Sequence, residues 1–117
     1  MERQNVIVEK SFQFALRIIN YSETLQGHKK FIVSQQLLKA GTSIGANVRE
    51  GQGAESRADF VHKFKIALKE AEETEYWLLL CKSSETYPFE EALLVDVREL
   101  ILILNSIITS AKRNAKR

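Results

Sequence analysis

Apolar residues recur at three- and four-residue steps along almost the whole chain, the spacing that gathers them on one face of a 3.6-residue helix. Ile7, Val8, Phe14, Ala15, Ile18, Ile19 and Leu25 form the first such stripe, which Asn5 can cap and Gly27 breaks. After the basic turn His28-Lys29-Lys30, a second stripe runs through Val33, Leu37, Leu38, Gly41, Ile44, Gly45 and Val48. It stops at Gly51-Gln52-Gly53, whose glycines suit a helix end. Ser56 followed by Asp59 makes a capping-box-like start for a third helix, with Phe60, Phe64, Ala67, Leu68, Ala71, Leu78 and Cys81 inward and an end near Lys82. Pro88 fits the first turn of a fourth helix, where its missing N–H has no intrahelical partner. There Leu93, Val97, Leu100, Leu104, Ile107 and Ala111 keep a heptad-like rhythm, and Leu94, Ile101 and Ile108 add a second row. With Leu102 and Ile103 outside the main seam, helix 4 carries more apolar width than a lone bundle covers.

Four helices of about 20 residues, each roughly 30 Å long, joined by short turns, force antiparallel neighbours. The expected fold is all-α: an antiparallel up-down-up-down four-helix bundle forming one domain over residues 1–117. If helices 2 and 3 fold back about the glycine turn, residues whose numbers sum to a constant face each other. Taking Val48 opposite Phe60 puts Ile44 by Phe64, Gly41 by Ala67 and Leu37 by Ala71. Gly41 and Gly45 each cost about 1 kcal/mol inside a helix. Their place on the inner stripe predicts packing hollows that admit a bulky neighbour such as Phe64.

Composition agrees with this reading. Hydrophobic residues make up 44% and charged residues 27% of the chain, and five glycines and one proline are too few for the turns that sheets require. Cys81 is the lone cysteine, so no intramolecular disulfide can form, and Met1-Glu2-Arg3-Gln4-Asn5 lacks the basic-then-apolar layout of a secretory signal. A cytoplasmic location is expected. The most apolar stretch, Leu100 to Ile108, is interrupted by Asn105 and Ser106 and is far shorter than the roughly 20 residues that span a bilayer.

Candidate chemistry is sparse. A di-metal carboxylate bundle needs a Glu-x-x-His pair on each of two helices and two more glutamates. The nearest approach is Asp59-Phe60-Val61-His62, and the other histidine, His28, has Leu25 three residues before it, so His62 reads as a solvated helix residue and no metal is expected. Gly51-Gln52-Gly53-Ala54-Glu55-Ser56 resembles a phosphate-cradling loop but lacks the preceding strand and the third glycine of a dinucleotide site, and reads as an interhelical turn. Cys81, in the apolar run Leu78-Leu79-Leu80-Cys81 with no histidine near, reads as a buried inert thiol. No pair of titratable groups converges with a nucleophile, and neither an enzyme nor a cofactor is expected.

Glu75 falls on the inward stripe between Ala71 and Leu78, where an unpaired charge would cost several kcal/mol. Counting back about the loop near Thr86 brings Arg98 opposite, which predicts an interhelical ion pair; exposure at the bundle edge and a catalytic acid are the alternatives. The net charge of +2 is small but unevenly spread. Helix 3 carries Arg57, Lys63, Lys65 and Lys69 first and Glu70, Glu72, Glu73 and Glu75 after, against the preference of the helix dipole. The chain ends in Lys112, Arg113, Lys116 and Arg117 with no acid among them. Arg57, Lys63, Lys65, Lys112, Arg113, Lys116 and Arg117 are therefore the candidate phosphate contacts; a solvated face and the dipole preference for basic C-termini are the alternatives.

Three segments carry a family resemblance. Leu37-Leu38-Lys39-Ala40-Gly41-Thr42-Ser43-Ile44-Gly45-Ala46-Asn47-Val48, Gly53-Ala54-Glu55-Ser56-Arg57-Ala58-Asp59-Phe60 and Ala67-Leu68-Lys69-Glu70-Ala71-Glu72-Glu73-Thr74-Glu75-Tyr76-Trp77-Leu78 resemble the bacterial four-helix-bundle proteins encoded in intervening sequences of 23S ribosomal RNA genes. Glu72 stands where that family commonly has Arg, and Arg49 where small residues are common. The resemblance implies a cytoplasmic bundle that assembles as a ring, typically a pentamer, without catalysis. A more distant likeness is to the accessory protein of diversity-generating retroelements, a basic pentameric ring that binds nucleic acid and a reverse transcriptase. The resemblance and the basic segments together predict an oligomeric module that binds RNA or DNA; the alternative is a protein-interaction scaffold that binds another protein through its apolar surface.

Overall fold

The computed structural model describes residues 2–115, and their side chains from Val6 to Asn114. Four helices follow one another: α1 (Glu2–Gly27), α2 (Phe31–Gln52), α3 (Arg57–Ser83) and α4 (Glu91–Ala115). They form an elongated body of 52 × 21 × 21 Å. The backbone of each helix runs beside those of its chain neighbours, and α1 also runs beside α4, whereas the backbones of the diagonal pairs α1–α3 and α2–α4 stand apart. The four therefore stand at the corners of a square. Cross-helix contacts fix the directions. Lys10 pairs with Glu99 and Arg17 with Asp96, Glu50 pairs with Lys63, and Glu75 and Lys82 pair with Arg98 and Glu91. In the two sets that hold two pairs, α1–α4 and α3–α4, numbers rise on one helix as they fall on the other, and Ser22 with Ser34, Ile18 with Gly41 and Ser11 with Gly45 keep the same order between α1 and α2, so the bundle runs up-down-up-down.

The core is the predicted stripe with additions. Phe14, Ile18, Leu25, Leu37, Ile44, Val48, Phe64, Ala67, Leu78, Leu93, Leu100 and Leu104 are all buried. Ile19, expected inside, is 38% exposed. Buried Tyr21 and the serines Ser11, Ser22 and Ser34 fill the inner face of the first two helices. Ser34 Oγ donates to the Ser22 carbonyl at 2.8 Å, which satisfies a buried hydroxyl where α1 and α2 approach closely. Among the described residues no helix is long and apolar enough to cross a membrane.

Several helix ends differ from the sequence reading. α1 begins at Glu2, so Asn5 lies inside it. Gly27 belongs to its last turn, and the chain leaves the helix at Lys29, whose φ of 65° is left-handed. The Lys30 N–H bonds to the Leu25 carbonyl and the Lys29 N–H to that of Gln26, the paired closure of a Schellman motif with lysine in glycine's usual place. Ser56 caps α3 as expected, its side chain accepting from the Asp59 N–H at 3.0 Å. Pro88 is outside α4, which starts at Glu91. Its carbonyl accepts a 2.6 Å bond from the Tyr21 hydroxyl, and this tie holds the segment before α4 against the bundle in place of a first helical turn.

The glycines also act differently. A Cβ on Gly41 would sit 2.8 Å from Ile18 Cγ1 and Cγ2, and one on Gly45 would sit 3.4 Å from the Ser11 carbonyl oxygen, so both let α1 approach α2. Phe64 instead takes the space beside Gly51, where a Cβ would fall 2.6 Å from its Cε1. The α2–α3 register is thus shifted from the counted one: the Phe64 ring reaches Gly51 rather than stopping at Ile44, because the bare glycine opens the end of α2 to it. The neighbouring Glu50–Lys63 pair agrees with that offset.

Candidate nucleic-acid interface

Antiparallel packing brings the start of α3 against the end of α4, and with them most of the candidate cations. Arg57, in the first turn of α3, points an Nη1 at the Ala111 carbonyl, 3.5 Å away. Two turns further along α3, Lys65 meets Lys112 of α4 closely enough that the second ammonium is disfavoured: direct contact with Lys65, then charge repulsion from it and slight desolvation, push the Lys112 pKa below the usual lysine range. Arg113 is exposed on the same end of α4. None of the ion pairs of the described residues involves Arg57, Lys65, Lys112 or Arg113.

Lys63 does not join them. It turns to α2 and pairs with Glu50 at 2.9 Å, a bond that raises its pKa. Lys116 and Arg117 lie outside the described residues. The cluster on the α3–α4 edge therefore consists of Arg57, Lys65 and Lys112, with Arg113 exposed at the same end of α4. Sequence reading singled out these four but missed the nearness of Lys65 to Lys112, because the antiparallel count that pairs Glu75 with Arg98 sets Lys65 opposite Ile108, one helical turn before Lys112.

The acidic half of α3 divides by partner. Arg98 Nε donates to Glu75 Oε2 at 2.8 Å. Glu75 is on the helix flank rather than fully inward, its side chain 28% exposed, because the buried position next to it is taken by Thr74. The Thr74 hydroxyl is satisfied by the Glu70 carbonyl at 2.7 Å. Glu73 accepts from Trp77 Nε1 at 3.2 Å. Burial, then the Glu73 charge, raise the Glu70 pKa, with Lys39 opposing.

The remaining candidates for chemistry stay apart. His62 is exposed. Cys81 is buried, and burial pushes its thiol pKa up, the opposite of what a nucleophilic thiolate needs. Tyr21 is raised far above the ordinary tyrosine range by burial and by the neighbouring Cys81. Among the described residues no three His, Cys, Asp or Glu side chains come together to hold a metal ion.

Fold and surface together define a small all-α four-helix-bundle protein with a cationic edge at one end. Its sequence matches the model of the family described as 23S rRNA-intervening sequence protein over residues 3–106. The chain belongs to that family. It is similar to the crystal structure of a protein of unknown function from the S23 ribosomal protein family of Bacteroides thetaiotaomicron VPI-5482, with 48% identity, a TM-score of 0.86, and coverage of 92% of this chain and 98% of that one. No curated protein sequence matches the chain.

Proposed function

We propose that the protein is a non-enzymatic, cytoplasmic bundle that assembles as a homo-oligomer, a pentameric ring being the form its family resemblance suggests, and that it binds RNA or DNA through the α3–α4 edge. The observation that carries the binding is the gathering of Arg57, Lys65 and Lys112 where the start of α3 meets the end of α4, with Arg57 reaching the Ala111 carbonyl and, among the described residues, no carboxylate paired to any of the three. Cations brought together repel one another, and an anion between them reverses that sign. A phosphate backbone supplies such anions in series and gains further from released counterions. Nothing in the cluster reads base edges, so the expected binding is to backbone and shape.

The test is a fluorescence-anisotropy titration of a labelled structured RNA and a DNA duplex at low salt. Wild type is expected to bind, and Lys65→Glu combined with Lys112→Glu to weaken binding at least tenfold with the helical circular-dichroism spectrum unchanged. Absence of binding by wild type at low salt overturns the nucleic-acid reading in favour of a protein-interaction scaffold.

A further inference from the structure

The α2–α3 face carries an aromatic and apolar surface at the end of the bundle away from the cationic edge. The Glu50–Lys63 pair fixes its register. Lys39 and Ile32 stand 11 and 18 residues before Glu50, about three and five turns of helix, so they share its flank of α2. Glu70 and Trp77 follow Lys63 at steps of seven, about two turns each, and share its flank of α3. The influence of the Lys39 charge on Glu70 agrees with that placement. Glu73 belongs to the same flank, since it accepts from Trp77 Nε1 at 3.2 Å. The Tyr76 ring meets the Trp77 ring edge-on, with centroids 5.5 Å apart. From the Glu50–Lys63 pair, 18 residues back along α2 and 17 on along α3 each cover about 26 Å, which brings Ile32 level with Leu80.

This surface is open, and its charge is unmatched. Ile32, Tyr76 and Leu80 are 79%, 57% and 42% exposed, and Trp77 is half-buried. Neither Glu70 nor Glu73 enters any ion pair among the described residues. The two carboxylates repel each other, and burial with the Glu73 charge raises the Glu70 pKa; a cation between them removes that repulsion. Aromatic rings also attract cations. Arginine suits both, because its flat guanidinium stacks on a ring while its N–H groups reach carboxylates.

We infer that this face docks a basic amphipathic helix of another protein: an arginine seats against the Tyr76 and Trp77 rings and bonds to Glu70 and Glu73, and apolar residues about one turn away cover Ile32 and Leu80. Charge complementarity selects that occupant, since a nucleic-acid backbone is repelled by the same two carboxylates. The inference adds a protein-binding face to the nucleic-acid reading and does not rest on it, because the two surfaces lie at opposite ends of α3.

Trp77 is the lone tryptophan, so its fluorescence reports on the face directly. The probe is a synthetic amphipathic helix of arginine, leucine and alanine, titrated into the full chain at low salt. A saturable change in Trp77 emission is expected, and none with the same helix carrying glutamate in place of arginine. Glu70→Gln with Glu73→Gln is expected to weaken binding about tenfold, and Ile32→Ser with Leu80→Ser about fivefold, with circular dichroism unchanged. Glu72→Gln is the control: Glu72 lies three residues before Glu75, which turns to α4, and wild-type affinity is expected. No saturable change, equal binding of the glutamate helix, or a double-glutamine variant that binds as wild type overturns the inference. So does a light-scattering mass of the Ile32→Ser, Leu80→Ser variant below that of wild type, which gives the face to a second copy of the chain. Lys65→Glu with Lys112→Glu is expected to keep the peptide affinity, which separates failure of this face from failure of the phosphate edge; loss of peptide binding there counts against the placement.

Discussion

The Phe64 ring occupies the space that any side chain on Gly51 would need, with Cε1 2.6 Å and Cδ1 2.7 Å from where a Cβ would sit. A glycine there admits the ring between the end of α2 and α3. Gly51→Ala is expected to lower stability by about 1–2 kcal/mol, since overpacking of about 1–3 kcal/mol exceeds the helix-propensity gain of up to about 1. Gly27→Ala is the control: no atom lies within 4 Å of its added Cβ, and a gain of about 0.5–1 kcal/mol is expected. Thermal and urea unfolding separate the two, and equal effects contradict the packing assigned to Gly51.

Lys29 closes α1 in a left-handed conformation at φ 65°. A side chain there costs roughly 1–2 kcal/mol relative to glycine, partly offset by glycine's greater freedom when unfolded. Lys29→Gly is expected to stabilise the protein by about 1 kcal/mol, read as a rise in the urea midpoint with an unchanged slope.

The Glu75–Arg98 pair is short but open to solvent, with Arg98 52% exposed. Exposed pairs contribute about 0.2–1 kcal/mol and are screened by salt. A double-mutant cycle with Glu75→Leu and Arg98→Leu is expected to give a coupling in that range that shrinks in concentrated salt. No coupling at low salt removes the pair from the stabilising contacts.

Alkaline stability follows from Tyr21 and Cys81, both buried and both raised in pKa, chiefly by burial. Each is neutral in the folded state and ionises at lower pH when unfolded. Their contribution is complete below the unfolded values, near 9 for Cys81 and 10 for Tyr21, and is lost as pH rises from there toward the folded ones. Stability is expected to fall above about pH 9–10 by up to about 1.4 kcal/mol per pH unit for each group. Tyr21→Phe, which also loses the bond to the Pro88 carbonyl, is expected to be about 1 kcal/mol less stable at neutral pH but to decline less steeply in alkali.

The four helices were legible because burial on a helix leaves a 3.6-residue period, and the Ser56 cap because its chemistry is local. Contacts between elements were legible only where counting across a short loop applied, as for Glu75 with Arg98. The same counting misplaced Phe64, since the offset of α2 on α3 depends on Gly51 having no side chain, which periodicity cannot weigh. Pro88 was assigned to α4 on a local preference that the Tyr21 hydroxyl, 67 residues away in sequence, overrides. Of the basic residues, composition located the cluster, but only packing separates Lys63, tied to Glu50, from Lys65, held against Lys112.

The salt dependence of nucleic-acid affinity tests the phosphate reading of that cluster most directly. The logarithm of the binding constant of wild type is expected to fall linearly with the logarithm of salt concentration, and Lys65→Gln with Lys112→Gln to flatten that slope by about 1 for each phosphate that is no longer neutralised. An affinity indifferent to salt, or a variant slope equal to that of wild type, contradicts the assignment of the α3–α4 edge as the binding surface.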